Sequence, residues 1–98
     1  MNYNFDWDPY KSKQNIKKHK ISFEIATEIF QDFMAISLFD EEHSTKEDRW
    51  ITIGKSINNQ LIVIIHTFKI ESNNQCLIRI ISARKATKSE IKQYEDVK

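Results

Sequence analysis

Arg49-Trp50-Ile51-Thr52-Ile53-Gly54 and Arg79-Ile80-Ile81-Ser82-Ala83-Arg84 decide the reading of this chain. Each is a short run rich in branched apolar residues, the composition of a strand. Each also carries arginine where an interior strand is ordinarily apolar. Together they hold every arginine in the chain; the other basic residues are lysines. Arginine's planar fork makes two-point contacts with phosphate that lysine's point charge does not. Guanidinium groups on rigid strands therefore point to a phosphodiester ligand. Three histidines in the same chain point to one that is cleaved.

Working outward, Leu61 to Phe68 reads as the strand between these two. It follows Ser56-Ile57-Asn58-Asn59-Gln60, whose Asn pair tolerates the positive φ of a tight hairpin. A second polar turn, Glu71 to Gln75, leads into a last strand over Cys76 to Arg84, so three strands form an antiparallel meander. Phe33 to Phe39 is a fourth strand candidate, separated from the meander by the polar stretch Asp40 to Asp48. Asp8-Pro9 starts a helix running to about Lys18. On it Lys11, Asn15 and Lys18 share one face, and Ile16 and His19 another. Lys20 stands where a helix end favours Gly, a local conflict. Ser22 caps a second helix with a buried stripe of Phe23, Ala26 and Phe30, widened by Ile25 and Ile29. Thr87-Lys88-Ser89-Glu90 is a capping box that opens a C-terminal helix. The expected architecture is α+β, with two N-terminal helices, an antiparallel sheet of about four strands and a C-terminal helix on one side.

The totals narrow the function. Ninety-eight residues, 40% hydrophobic and 30% charged, make one compact domain over residues 1–98. The longest apolar run, Leu61 to Ile65, is too short to span a membrane, and the N-terminal residues lack a signal-peptide pattern. Cys76 is the only cysteine, so the expected compartment is the cytoplasm. The net charge of +1 conceals basic ends around an acidic middle. Residues 1–20 carry five Lys against two Asp, whereas residues 21–50 carry two basic and eight acidic residues. Such a chain offers one face to nucleic acid and another to a basic partner, unless the charges are only solvated. A single Gly excludes a Gly-rich phosphate loop. The histidines lie 24 and 23 residues apart, without other ligands at metal spacing. No metal or other cofactor is expected.

Period-2 geometry sets Arg79, Ile81 and Ala83 against Ile80, Ser82 and Arg84. The two arginines share a face only if a bulge intervenes or if Arg84 lies beyond the strand end. The approach of Lys85-Ala86-Thr87 to the next helix favours the second. His66 shares a face with Ile62 and Ile64. Each candidate has a plainer alternative: His66 a satisfied half-buried histidine, His19 a complement to its helix dipole, His43 a solvated loop residue. Arg79 is equally suited to pair with a carboxylate such as Glu90, Ser82 to sit at a sheet margin, and Tyr94 to pack beside Ile91.

The ordered set of motifs resembles the BrnT-type toxins of bacterial type II toxin–antitoxin systems. The resemblance runs through Phe5-Asp6-Trp7-Asp8, Lys11, Asn15, Lys18-His19, Phe23-Glu24 and Ala26. It continues through Asp40, His43-Ser44, Glu47, Arg49, Ile53-Gly54, Val63 and His66-Thr67, then Arg79 to Arg84, Ala86, Glu90 and Tyr94-Glu95. The chain departs from the usual pattern at Lys20, where Gly normally follows Lys-His, and at Ile25, where Glu normally stands. What the resemblance implies is a RelE-like fold and a metal-independent ribonuclease that inhibits translation. The implied partner is a ribbon–helix–helix antitoxin (BrnA-like) that neutralises the toxin and alone contacts operator DNA, and RNA is the substrate, ribosome-associated or free. On that reading Arg79 and Arg84 bind phosphate with Arg49 assisting, and His66 or His19 transfers protons. Lys11 and Lys18 guide the RNA backbone, and Ser82 offers a hydrogen bond. The competing class is a non-catalytic nucleic-acid or protein-binding module acting as corepressor.

Overall fold

The computed structural model describes residues 2–96. Along the chain lie β1 (Asn2–Asp6), α1 (Pro9–His19), α2 (Phe23–Ala26), β2 (Ile36–Phe39), β3 (Arg49–Lys55), β4 (Leu61–Thr67), β5 (Lys69–Ser72), β6 (Gln75–Lys85) and α3 (Lys88–Asp96). Short 3-10 segments occupy Thr27–Gln31 and Glu41–His43. No helix among the described residues is long and apolar enough to cross a membrane.

The expected hairpin over Ser56 to Gln60 is present, but the expected turn over Glu71 to Gln75 shrinks to residues 73–74, because Lys69–Ser72 forms β5 and pairs back onto β6. β3 pairs antiparallel with β4 and β4 with β6, and β2 lies on the outer side of β3. The sheet nevertheless departs from the expected four antiparallel strands. It has six, in the order β1-β6-β4-β3-β2 with β5 also on β6, and β1 runs parallel to β6. Asn2-Tyr3-Asn4-Phe5-Asp6 alternates polar and aromatic residues, a strand signature. Its partner, however, begins at Gln75, and nothing local announces that pairing.

Helix starts follow the local chemistry. Asp8 accepts the Tyr10 N–H at 2.8 Å and Ser22 accepts the Ile25 N–H at 3.1 Å. Lys20 ends α1 in the left-handed region at φ 61°, its N–H bonded to the Ile16 carbonyl. The conflict seen in the sequence is thus resolved by strain at Lys20 rather than by a different turn. The second helix is shorter than expected because its buried residues, Phe23, Ala26 and Ile29, recur every three positions. That spacing suits the 3-10 winding that replaces the α-helix from Thr27. Phe33 lies outside β2 and is fully exposed, because Asp32 turns the chain there by accepting the Met34 and Lys55 N–H groups.

Two cores flank the sheet. On one face Ile62, Ile64, Ile78, Ile80 and Ala83 meet Ile21, Phe23, Ala26 and Ile29. Gly54 is required here, since an added Cβ would stand 2.8 Å from the Ile29 Cβ. On the other face Ile53 and Val63 pack against Tyr94 of α3, whose hydroxyl donates to Asp32 at 2.7 Å. Asn15, an inward-facing residue of α1, donates to the Ile21 and Ala83 carbonyls and accepts the Ala83 N–H. Its amide thereby serves the β6 edge beyond the point where β1 stops.

Candidate active site

The arginine strands are brought together by an irregularity in β6. Ile65 pairs with Ser82 but His66 pairs with Ile80, leaving Ile81 as an extra residue. The alternation therefore inverts at Ile81. Ile78, Ile80 and Ala83 all point into the helix-covered core, so Arg79 and Arg84 both point to the opposite face. β6 continues to Lys85, which corrects the expectation that Arg84 lies past the strand end; the bulge aligns the pair. Arg49 faces Thr67 across β3 and β4, and the Thr67 hydroxyl accepts the Arg79 N–H at 3.3 Å. Asp6 is the β1 partner of Arg79. A row Arg49–Thr67–Arg79–Asp6 thus crosses four strands on one face.

The three guanidinium groups differ in freedom. Arg84 is held by both oxygens of Glu90, at 2.7 and 2.8 Å. The hydrogen bonds from Arg84 are the chief reason that Glu90 falls to about 2, and they raise Arg84 in turn. The capping box reinforces the pair, because Glu90 also accepts the Thr87 N–H at 2.8 Å. Arg79 contacts Asp6 through one nitrogen at 2.6 Å, with both side chains about half exposed (46% and 48%). A single exposed contact of this kind is worth about 0–1 kcal/mol and is readily exchanged for a phosphate. Arg49 has a buried Nε without a hydrogen-bond partner. Its backbone is fixed by the Ser44 hydroxyl and by the Asp40 N–H. Arg84 is thus the most tightly held fork, Arg79 is held by one exposed contact, and Arg49 keeps an unused donor at Nε.

His66 does not join this row. His66 points into the other face, 3% exposed, as its sequence neighbours Ile62 and Ile64 foretell. Its Nδ1 lies 2.9 Å from the Thr67 carbonyl, which fixes the proton on Nδ1, and its Nε2 lies 2.6 Å from the Thr52 hydroxyl. Burial lowers its pKa from 6.5, opposed by the Thr67 carbonyl. His19 ends α1, ten residues after Pro9, roughly 15 Å along the axis from the helix start beside β1. Lys11 is exposed in the first turn of α1 and Lys18, also exposed, lies roughly 10 Å further along. His43 is bonded to Asp40 at 2.9 Å. Ser82 is half-buried on the guanidinium face. Sequence reasoning missed Asp6 as the counter-charge to Arg79 and missed Thr52, both of which depend on long-range register.

Residues 7–90 match the family model for the ribonuclease toxin, BrnT, of type II toxin–antitoxin system. The chain belongs to the BrnT family of ribonuclease toxins. Membership implies a cognate antitoxin as partner and ribonuclease activity as the family's chemistry. The crystal structure of the Brucella abortus ribonuclease toxin, BrnT, is similar at 26% identity and TM-score 0.58, covering 90% of this chain and 100% of that one. The α+β architecture, with its mixed six-strand sheet and three helices, thus agrees with a BrnT structure. No curated protein matches the chain.

Proposed function

We propose that this chain is a metal-independent endoribonuclease, a single toxin domain over residues 1–98 that inhibits translation in the cytoplasm. A ribbon–helix–helix antitoxin of the BrnA type neutralises it. The observation that carries the reading is the Arg49–Thr67–Arg79 row, with an unused Nε donor on Arg49 and an exchangeable exposed contact on Arg79. Cleavage begins when the ribose 2′-oxygen attacks the adjacent phosphorus, giving a phosphorane with added negative charge. It ends when the bond from phosphorus to the 5′-oxygen breaks, leaving a 2′,3′-cyclic phosphate; solvent water accepts the 2′-hydroxyl proton and supplies one to the departing 5′-oxygen. The 2′-hydroxyl confines this chemistry to RNA.

Arg49 and Arg79 bind the scissile phosphate and stabilise the phosphorane, the step at which fixed positive charge contributes most. Arg84 positions α3 through Glu90 and borders the site. Lys11, Lys18 and Ser82 receive neighbouring parts of the RNA. His66 is a positioning residue, because its ring holds the Thr67 carbonyl from the opposite face while both nitrogens are engaged. His66 lies on the other face with both nitrogens engaged, so this reading places the main rate enhancement in charge stabilisation by Arg49 and Arg79.

The test is cleavage of a labelled RNA by the purified chain in excess chelator. Arg49→Ala and Arg79→Ala should each lower kcat/KM by on the order of 10²–10³. His66→Gln should retain more activity than His66→Ala, with the pH profile unchanged. Abolition by chelator, or full activity in the double arginine variant, rejects the assignment. A corepressor would instead bind nucleic acid with a steep salt dependence and cleave nothing.

A further inference from the structure

Behind the guanidinium row, on the helix-covered face, a cavity of about 260 Å³ opens beside His66. Tyr3, Phe30, Trp50 and Phe68 supply its rings, and Ser37 and His66 its polar groups. Trp50 and His66 are the chain neighbours of Arg49 and Thr67, so the cavity and the row lie back to back at the same end of β3 and β4. Its volume falls below the roughly 300–1,000 Å³ of sites for drug-sized ligands, which suits one flat ring. The walls are set before any ligand arrives. Phe30 meets His66 edge to face at 5.1 Å and Tyr3 at 6.2 Å, while Phe39 braces Trp50 at 5.2 Å. Tyr3 and Phe68 are 44% and 38% exposed, large apolar surface left open at the mouth.

We propose that this cavity takes one unpaired RNA base, stacked on its aromatic rings, while the backbone of the same strand passes over the sheet end to the Arg49–Thr67–Arg79 row. The proposal rests on reading the chain as a ribonuclease and adds what that reading lacks, a source of nucleotide preference. Stacking alone tolerates every base; the hydroxyl chain adds discrimination. With the Nδ1 proton directed at the Thr67 carbonyl, neutral His66 can only accept at Nε2, so Thr52 donates to it. Thr52 then accepts from Ser37 at 2.8 Å, and Ser37 faces the cavity with lone pairs only. Such an end favours a base bearing an exocyclic amino group over uracil, whose lone ring N–H is flanked by two carbonyl oxygens.

Fluorescein-labelled, fully 2′-O-methylated tetranucleotides test this without cleavage, with each position in turn made abasic or given each base. One position should lose roughly ten- to hundredfold in affinity when abasic, and uracil there should bind more weakly than adenine or cytosine. Phe68→Ala and Tyr3→Ala, both at exposed sites, should erase that dependence, and Ser37→Ala should bring uracil level with the amino bases. Absence of any sensitive position, or sensitivity unchanged in both ring variants, overturns the base pocket even if unmodified RNA is cleaved. Loss of antitoxin binding in those variants with oligonucleotide affinity intact also overturns it and assigns the cavity to the antitoxin. Failure of wild-type protein to cleave unmodified RNA refutes the ribonuclease reading separately, since oligonucleotide affinity is read without turnover.

Discussion

Removing the charge of Glu90 should change both stability and the freedom of Arg84. In the folded chain Glu90 falls from the ordinary 4.5 to about 2, chiefly through the hydrogen bonds of Arg84. At about 1.36 kcal/mol per pH unit this is a ceiling of about 3.4 kcal/mol. The pair is partly open to water, with Arg84 35% and Glu90 21% exposed, and solvent screening trims the value to about 1.5–2 kcal/mol. Because the folded value lies below the unfolded one, the contribution is complete above pH 4.5 and disappears as pH falls toward 2. Urea unfolding at a series of pH values should therefore show Glu90→Gln less stable by about 1.5–2 kcal/mol at pH 7. The gap should close between pH 4.5 and 2. A gap that persists unchanged to pH 2 would mean that packing, not the ion pair, is its source. The same variant releases the Arg84 fork. If Arg84 is held away from phosphate by Glu90, RNA should bind Glu90→Gln more tightly than wild type, with the gain abolished by Arg84→Ala.

Asn15→Ala strips three hydrogen bonds from buried backbone at Ile21 and Ala83, and urea midpoints should show a loss of about 2–4 kcal/mol. Gly54→Ala drives a methyl group to 2.8 Å from the Ile29 Cβ, and thermal unfolding should show a cost of about 1–3 kcal/mol. In an NMR titration the His66 ring should protonate below pH 6.5. Wild type should lose stability as pH falls through that range, and His66→Gln should lack that loss, because burial disfavours the charged ring.

Much of the fold was written locally. Asp8-Pro9, Ser22 and the Thr87–Glu90 box act within a turn, so the helix starts could be read from residue types alone. The hairpin at Ser56 to Gln60 is equally local, with Asn59 at φ 64°. What escaped was set by distance. β1 finds its partner across most of the chain, and the length of β2 depends on Asp32 reaching Lys55. The site divided in the same way. Guanidinium groups on strands were legible from Arg49, Arg79 and Arg84, and the face of His66 followed from Ile62 and Ile64. Whether those faces coincide depends on cross-strand register and on the extra residue at Ile81, and neither leaves a mark in composition. The identity of each counter-ion was hidden too: Glu90 holds Arg84 rather than Arg79, which has Asp6 instead.

The pairing of the first strand with the last sets an order of assembly. Asn2 to Asp6 leave the ribosome early but have no ladder to join until Gln75 to Arg79 have been made. Pairings so remote in sequence are slow to close. The carboxylate that steadies Arg79 therefore arrives among the last tertiary contacts of a newly synthesised chain. A nascent or C-terminally truncated polypeptide would carry its basic first helix without a finished guanidinium row, so cleavage should await synthesis of nearly the whole chain.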